Sequence, residues 1–247
     1  MPLEGHSVKH TLLRLSIVLS FAVAGLAQQA PAAPAQHSHH AASSAAKPSA
    51  DKLWADLMAG NARFVAGKPA TYPLASLRQK LASGQSPNVI VLSCSDSRVS
   101  PELTFDQSLG DLFVIRTAGN VADPVGLGSI EYAIAHFHSP VLVVLGHQKC
   151  GAVIAACSGE KMPSANLDAI MKKIDPAVTQ AKTYAKADDL VESAIKENVR
   201  QSAKDLQSNS EIIRDAVKSG KLSVIEAEYQ FDSGEVVRLD SAAHGQN

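Results

Sequence analysis

Aromatic residues make up 4% of these 247 residues, with one tryptophan. The apolar stretch at residues 15–26 is shorter than the roughly 20 residues a membrane-spanning helix needs, so a stable span is not expected. Charge of one sign is missing too: 23 basic side chains face 24 acidic ones, a formal net charge of -1. That balance removes any general electrostatic argument for nucleic acid or anionic lipid as a partner. Cysteine is scarce, and three residues, Cys94, Cys150 and Cys157, do not make a disulfide framework. The 45% hydrophobic content lets a chain of this length bury one sizeable core, so one domain is favoured over two.

Two compact clusters of chemistry-bearing residues stand out, Cys94-Ser-Asp96-Ser-Arg98 and His147-Gln-Lys-Cys150-Gly151. Each directly follows an apolar, largely β-branched run, residues 89–92 and 141–145, of the kind that forms parallel strands buried on both faces. In an open α/β sheet, sites assemble at the carboxyl ends of strands, so the two clusters can meet around one ion. Two thiolates and one imidazole with an open fourth position form a catalytic zinc arrangement rather than a closed structural one. Cys157 lies in an Ala-rich helical stretch and is expected as a small buried apolar residue.

The first residues look like an address. Lys9, His10 and Arg14 precede the apolar stretch, and small residues surround a cut after Ala27, so residues 1–27 are expected to be a signal peptide and the product to be periplasmic or otherwise exported. Residues 28–50, rich in Ala, Pro and Ser, are expected to be a disordered tether. His37, His39 and His40 within it are read as incidental composition, because a mobile tract has no preformed metal site.

Residues 51–247 are expected to form a single catalytic domain. Leu53, Trp54, Leu57 and Met58 recur at helical spacing and imply an amphipathic helix packed on the domain. A helix at residues 76–82, strands at 89–94 and 111–117, a Gly-rich turn, a helix around 129–138 and a strand ending at Gly146 follow in order. Such alternation gives an α/β fold with a mostly parallel central sheet flanked by helices. Helices continue to about Lys218, and residues 222–231 and 235–239 read as a C-terminal hairpin at the sheet edge.

Asp96 lies two residues from a ligand, where it can accept a hydrogen bond from a metal-bound hydroxide or occupy the fourth position itself. Arg98 can hold it with a bidentate fork, and alternation along an extended segment lets Cys94, Asp96 and Arg98 point to one side.

With these motifs, and with Gly60-Asn61-Ala-Arg63-Phe64-Val65, residues 110–116, Ala118-Gly119-Asn120 and residues 128–133 matching as well, the chain resembles the β-class carbonic anhydrases from about Leu53 to Leu239. The resemblance implies one zinc ion per chain held by Cys94, His147 and Cys150, with Asp96 as an alternative ligand, and Asp96 with Arg98 as a catalytic dyad. It implies reversible hydration of carbon dioxide to bicarbonate and a proton by a zinc-bound hydroxide. It also implies a homodimer or dimer of dimers with sites at the dimer interface. Gln107 and Tyr132 resemble pocket-lining residues, and Ala118, Gly119 and Gly151 are assigned to the substrate side as backbone. Two other readings stay open: a hydrolase of carbonyl sulfide or carbon disulfide on the same fold, and a non-catalytic zinc-binding descendant. An intact Asp96 and Arg98 argue against the second. His136 and His138, at a helix end, are not read as proton shuttles.

Overall fold

The two apolar runs become the central strands of a five-stranded sheet. In the computed structural model, which describes residues 47–239, β1 (Val89–Cys94) and β3 (Val141–His147) lie side by side in parallel, and every residue of both is buried. β2 (Leu112–Thr117) flanks β1 and β4 (Ser223–Tyr229) flanks β3, both parallel to their neighbours. β5 (Val236–Arg238) returns antiparallel along β4 and gives the order β2-β1-β3-β4-β5. The hairpin expected at the sheet edge is β4 and β5. The expectations for a signal peptide and for most of the tether lie outside the described residues. Lys47, at the tether's end, donates to Ser86 and Asn88, and Ser49 caps the first helix.

Alternation along the strands splits the core between the sheet's two faces. Val89, Val91, Val143 and Leu145 pack on one side with Leu53 and Leu57 of α1 (Ala50–Val65). Ile90, Leu92, Leu142 and Val144 pack on the other with α4 (Pro124–Phe137), α7 (Leu190–Asn209) and α8 (Glu211–Lys218). Each fully buried Leu or Ile contributes about 1.5–3 kcal/mol relative to an exposed one. A third cluster joins α5 (Gly151–Ser158), α6 (Ala165–Ala181) and α7 around Cys94 and Cys150. The remaining helices, α2 (Leu74–Lys80) and α3 (Pro101–Thr104), border β1 in sequence.

α4 starts five residues earlier than the expected 129. Asp123 accepts from the Gly126 amide at 2.6 Å, and Pro124 stands in the first turn, where its missing N–H costs nothing. The glycines that suggested a turn lie inside the helix. At Gly126 a Cβ would come within 2.9 Å of the capping carboxylate, so a larger residue would have to displace the cap.

Asn61 on α1 ties the sequence-distant ends of the domain together. Its amide donates to the Thr104 and Gly234 carbonyls at 3.0 and 2.9 Å and accepts from the Val236 amide at 2.9 Å. This buried group is fully used, as a polar group in the interior must be.

Glu228 of β4 is paired in register with Gly146, is 1% exposed, and has a buried Oε1 with no hydrogen-bond partner. Burial, then the nearby Glu192 carboxylate, push its carboxyl up to about 8, while Lys196 pulls the other way. Lys196 lies 3.3 Å from Glu192. An unfolded glutamate ionises near 4.5, so the folded chain keeps a proton that the unfolded chain loses. Stability is then full below that value, falls as pH rises toward about 8, and levels off above. Glu228→Gln is expected to match wild type near pH 5 and to exceed it by roughly 1–3 kcal/mol at pH 8 to 9. Denaturant unfolding at both pH values measures this, and an equal difference at both would show that Glu228 is ionised throughout.

Candidate active site

The ends of β1 and β3 bring three donors together. Cys94 is the last residue of β1, His147 the last of β3, and Cys150 caps α5 after a turn in which Lys149 takes φ 53°. The two sulfurs and one imidazole nitrogen all lie within 4.8 Å of one another and all three residues are buried. His147 Nδ1 lies 2.8 Å from the Gln148 carbonyl, which places the proton on Nδ1. Its Nε2 is left buried without a partner. An orphaned buried nitrogen facing two thiols is costly unless something satisfies it, and a metal ion would. A Cys2His set with a fourth position open suits zinc.

The thiols already behave as a pair. A hydrogen bond from Cys150 holds the Cys94 thiol down to about 4, helped by His147 and by the Gly119 amide, whose nitrogen lies 3.3 Å from the sulfur. The Cys94 thiolate and burial push the Cys150 thiol up, against the pull of the Val153 and Ala152 amides at the start of α5. One proton leaves readily, and a dication would displace the second.

Asp96 and Arg98 form the bidentate pair expected from their spacing. Arg98 donates from Nε to Oδ1 at 2.9 Å, from Nη2 to Oδ2 at 2.7 Å and from its backbone amide to Oδ1 at 2.9 Å. These bonds hold the Asp96 carboxyl well below the usual carboxylate range. Oδ2 also lies 3.9 Å from His147 Nε2, so the carboxylate faces the cluster while bound to Arg98. In this arrangement Asp96 is committed to the guanidinium, with the cluster donors being Cys94, His147 and Cys150.

Three supporting residues escaped the sequence reading. Arg116 of β2 donates to the Cys94 carbonyl at 2.9 Å and to the Asp96 carbonyl at 2.6 Å, fixing the backbone on both sides of Ser95. The signal was a charged residue at the end of a strand, which alone does not separate a brace from a solvated side chain. Asn198 of α7 is buried and donates to the Gly119 carbonyl at 2.7 Å. Phe231 lies 4.3 Å from the Arg98 guanidinium carbon, and its ring meets the His147 ring edge-on at 5.5 Å. Its backbone amide donates to the Gln148 side chain at 3.0 Å.

A partly exposed cation–π contact is worth about 0.5–1 kcal/mol, so Phe231→Leu is expected to lower kcat/KM for the reaction served by the Asp96–Arg98 pair roughly two- to fivefold at unchanged metal content. A kcat/KM equal to wild type would remove Phe231 from the support of Arg98.

The structure places the pocket candidates unevenly. Gly119 touches Cys94 through its amide, Ala118 begins the same turn, and Gly151 opens α5 beside Cys150 with free space where a Cβ would stand. Gln107 spends its amide on the Phe105 and Asp106 carbonyls at 2.8 and 3.3 Å. Tyr132 is 50% exposed on α4, amid Phe113, His136 and Phe137. Neither makes a described contact with the Cys94, His147 and Cys150 cluster within one chain. Among the described residues, no helix is long and apolar enough to cross a membrane.

Comparison with known proteins agrees with this geometry. A family model described as carbonic anhydrase matches residues 89–236. Carbonic anhydrase 2 of Mycobacterium tuberculosis is 39% identical over 194 residues, covering 76% of this chain and 91% of that protein. The solved β-carbonic anhydrase CcaA is 30% identical with a TM-score of 0.60, covering 75% of this chain and 94% of that one. The Coccomyxa β-carbonic anhydrase, solved in complex with acetazolamide, is 26% identical with a TM-score of 0.59, covering 77% and 83%. The matched segment opens with β1 and ends at β5, taking in both strand-end clusters, and by that shared sequence and shared fold the chain belongs to the β-carbonic anhydrase family.

Proposed function

We propose that this member hydrates carbon dioxide reversibly to bicarbonate and a proton, with one zinc ion held by Cys94, His147 and Cys150. The observation that carries the reading is the buried, unpartnered Nε2 of His147 facing two thiols beside an intact Asp96–Arg98 pair. When bound, zinc supplies an electrophile that acidifies a coordinated water to near neutrality and so provides the nucleophile. The protein's own residues do the rest. Arg98 fixes Asp96 as an ionised acceptor on the cluster's edge, able to orient an attacking oxygen through its lone pair. The Gln148 carbonyl fixes the His147 tautomer, and Arg116 keeps the β1 end and the following loop in register. A Cβ at Gly151, next to Cys150, would meet nothing within 4 Å.

A homodimer supports this site in the proposal. Leu74, Leu103 and Leu109 are exposed and line a groove of about 620 Å³ that also includes Gln107. Contiguous exposed apolar surface of this kind is what a partner covers. Export through residues 1–27 is likewise proposed, on the sequence pattern alone.

Stopped-flow hydration of carbon dioxide, with zinc assayed on the same sample and acetazolamide added, tests the proposal. Turnover that scales with zinc content and is blocked by the sulfonamide is the expected result. A zinc-loaded protein inert toward carbon dioxide but active on carbonyl sulfide would transfer the chemistry to the other substrate.

A further inference from the structure

The turn that touches the Cys94 sulfur is an unusual one and is held from behind. Gly119 and Asn120 adopt φ of 72° and 46° in succession, both in the left-handed region. Consecutive left-handed residues, one of them not glycine, persist only where their surroundings enforce them. Two groups pull Gly119 in opposite directions: its N–H points at Cys94 Sγ at 3.3 Å, and its carbonyl accepts from Asn198 Nδ2 at 2.7 Å. The same Nδ2 lies 3.5 Å from Asn120 Oδ1. A Cβ on Gly119 would come within 2.8 Å of Ile174 and 3.2 Å of Ala152, so the turn is also packed tightly from the α5 and α6 side.

Asn198 sits on the buried face of α7, between Ile195, Val199 and Ser202, all inaccessible. An asparagine there must justify the cost of burying an amide. Its Oδ1 finds no partner, and neither does the Asn120 Nδ2, so the pair is not kept for a saturated network. What its donor does accomplish is the clamp on Gly119.

We infer that Asn198 is a positioning residue of the metal centre: by holding the Gly119 carbonyl it aims the Gly119 N–H at the Cys94 sulfur, which withdraws electron density from that ligand and fixes its direction. This rests on the zinc reading above. Partners one step removed from a ligand tune metal affinity and ligand electronics in this way. An N–H bond to a metal thiolate lowers the sulfur's donor strength, so its loss makes the thiolate easier to oxidise and shifts sulfur-to-metal charge transfer to longer wavelength.

The test uses the full chain loaded with cobalt in place of zinc, read by absorption, and with zinc, read by competition against a chelator. Asn198→Leu keeps the branched shape and removes the donor. Asn198→Ser, which keeps a polar group but lacks reach, serves if the leucine variant does not fold. Val199→Ala, one residue along and packed toward Gly146, loosens the same helix without touching Gly119. The Asn198 variants are expected to move the charge-transfer band to longer wavelength and, because the Cys94 sulfur is no longer held in direction and this outweighs its greater donor strength, to weaken zinc binding about tenfold, while Val199→Ala lowers thermal stability and leaves both unchanged. A band and zinc affinity identical to wild type in the Asn198 variants, or shifted equally by Val199→Ala, overturns the inference. Absence of charge-transfer bands in wild type would overturn the zinc reading as well as this one.

Discussion

His147→Ala is expected to lose the zinc ion and to reduce carbon dioxide hydration at least about a thousandfold, because the metal is the source of the nucleophile at neutral pH. Cys94 and Cys150 remain close enough to share a proton, and without the imidazole the two sulfurs alone leave the ion two positions short of a tetrahedron. Cys94→Ser and Cys150→Ser should do the same, since a hydroxyl does not ionise as a thiol does. Metal analysis of the purified variants and stopped-flow rates on the same samples check this. The wild-type protein stripped by a chelator should also melt at a lower temperature and regain its midpoint with added zinc, as a ligand that binds only the folded state must cause. Full activity in a zinc-free His147→Ala protein would contradict the whole site assignment.

The second large effect concerns Asp96. Asp96→Asn is nearly isosteric, yet it replaces an acceptor held by three Arg98 contacts with an amide whose nitrogen repels the guanidinium. General-base and hydrogen-bonding contributions of a positioned carboxylate are worth about 10²–10⁴-fold, so a loss of about 10² or more in kcat/KM is expected with zinc content unchanged. The contrast with His147→Ala is the point: one variant loses the metal, the other keeps it. Arg98→Ala gives a third pattern. Without its fork the Asp96 carboxyl returns toward the ordinary carboxylate range and is free to swing, and its Oδ2 already lies 3.9 Å from His147 Nε2. Activity should fall most at low pH, where the released aspartate competes for the open coordination position. An Arg98→Ala rate reduced by the same factor across the pH range would show that Arg98 restrains nothing.

Much of this was legible in the sequence because strand-end motifs combine two strong signals. The runs before Cys94 and His147 are short, β-branched and apolar at successive positions, which suits a strand covered on both faces, and all of β1 and β3 is buried. The spacing of Cys94, Asp96 and Arg98 announced a pair that forms as expected. Other features depend on contacts between distant segments and had no local sign. Arg116 becomes a brace only because β2 lies beside β1, with Arg116 paired in register with Ser93. Asn198 is one polar residue in a helix rich in them, and its role exists only where α7 crosses the Ala118–Asn120 turn. Glu228 alternates with core residues in β4, and nothing in its own segment shows that Glu192 faces it. α4 starts ahead of the expected 129 because the Asp123 cap and Pro124 determine the boundary, and Gly126 and Gly128, turn formers by propensity, lie inside the helix. Gln107 and Tyr132 were assigned through resemblance, and within one chain they serve a loop and an aromatic group.

X-ray absorption at the zinc edge of the purified protein, near neutral pH, reads the proposed ligand set itself. The expected result is one zinc per chain with two sulfurs at about 2.3 Å and light atoms, one from His147 and one from water, at about 2.0 Å. A protein that binds no zinc, or binds it with a sulfur count other than two, would contradict it.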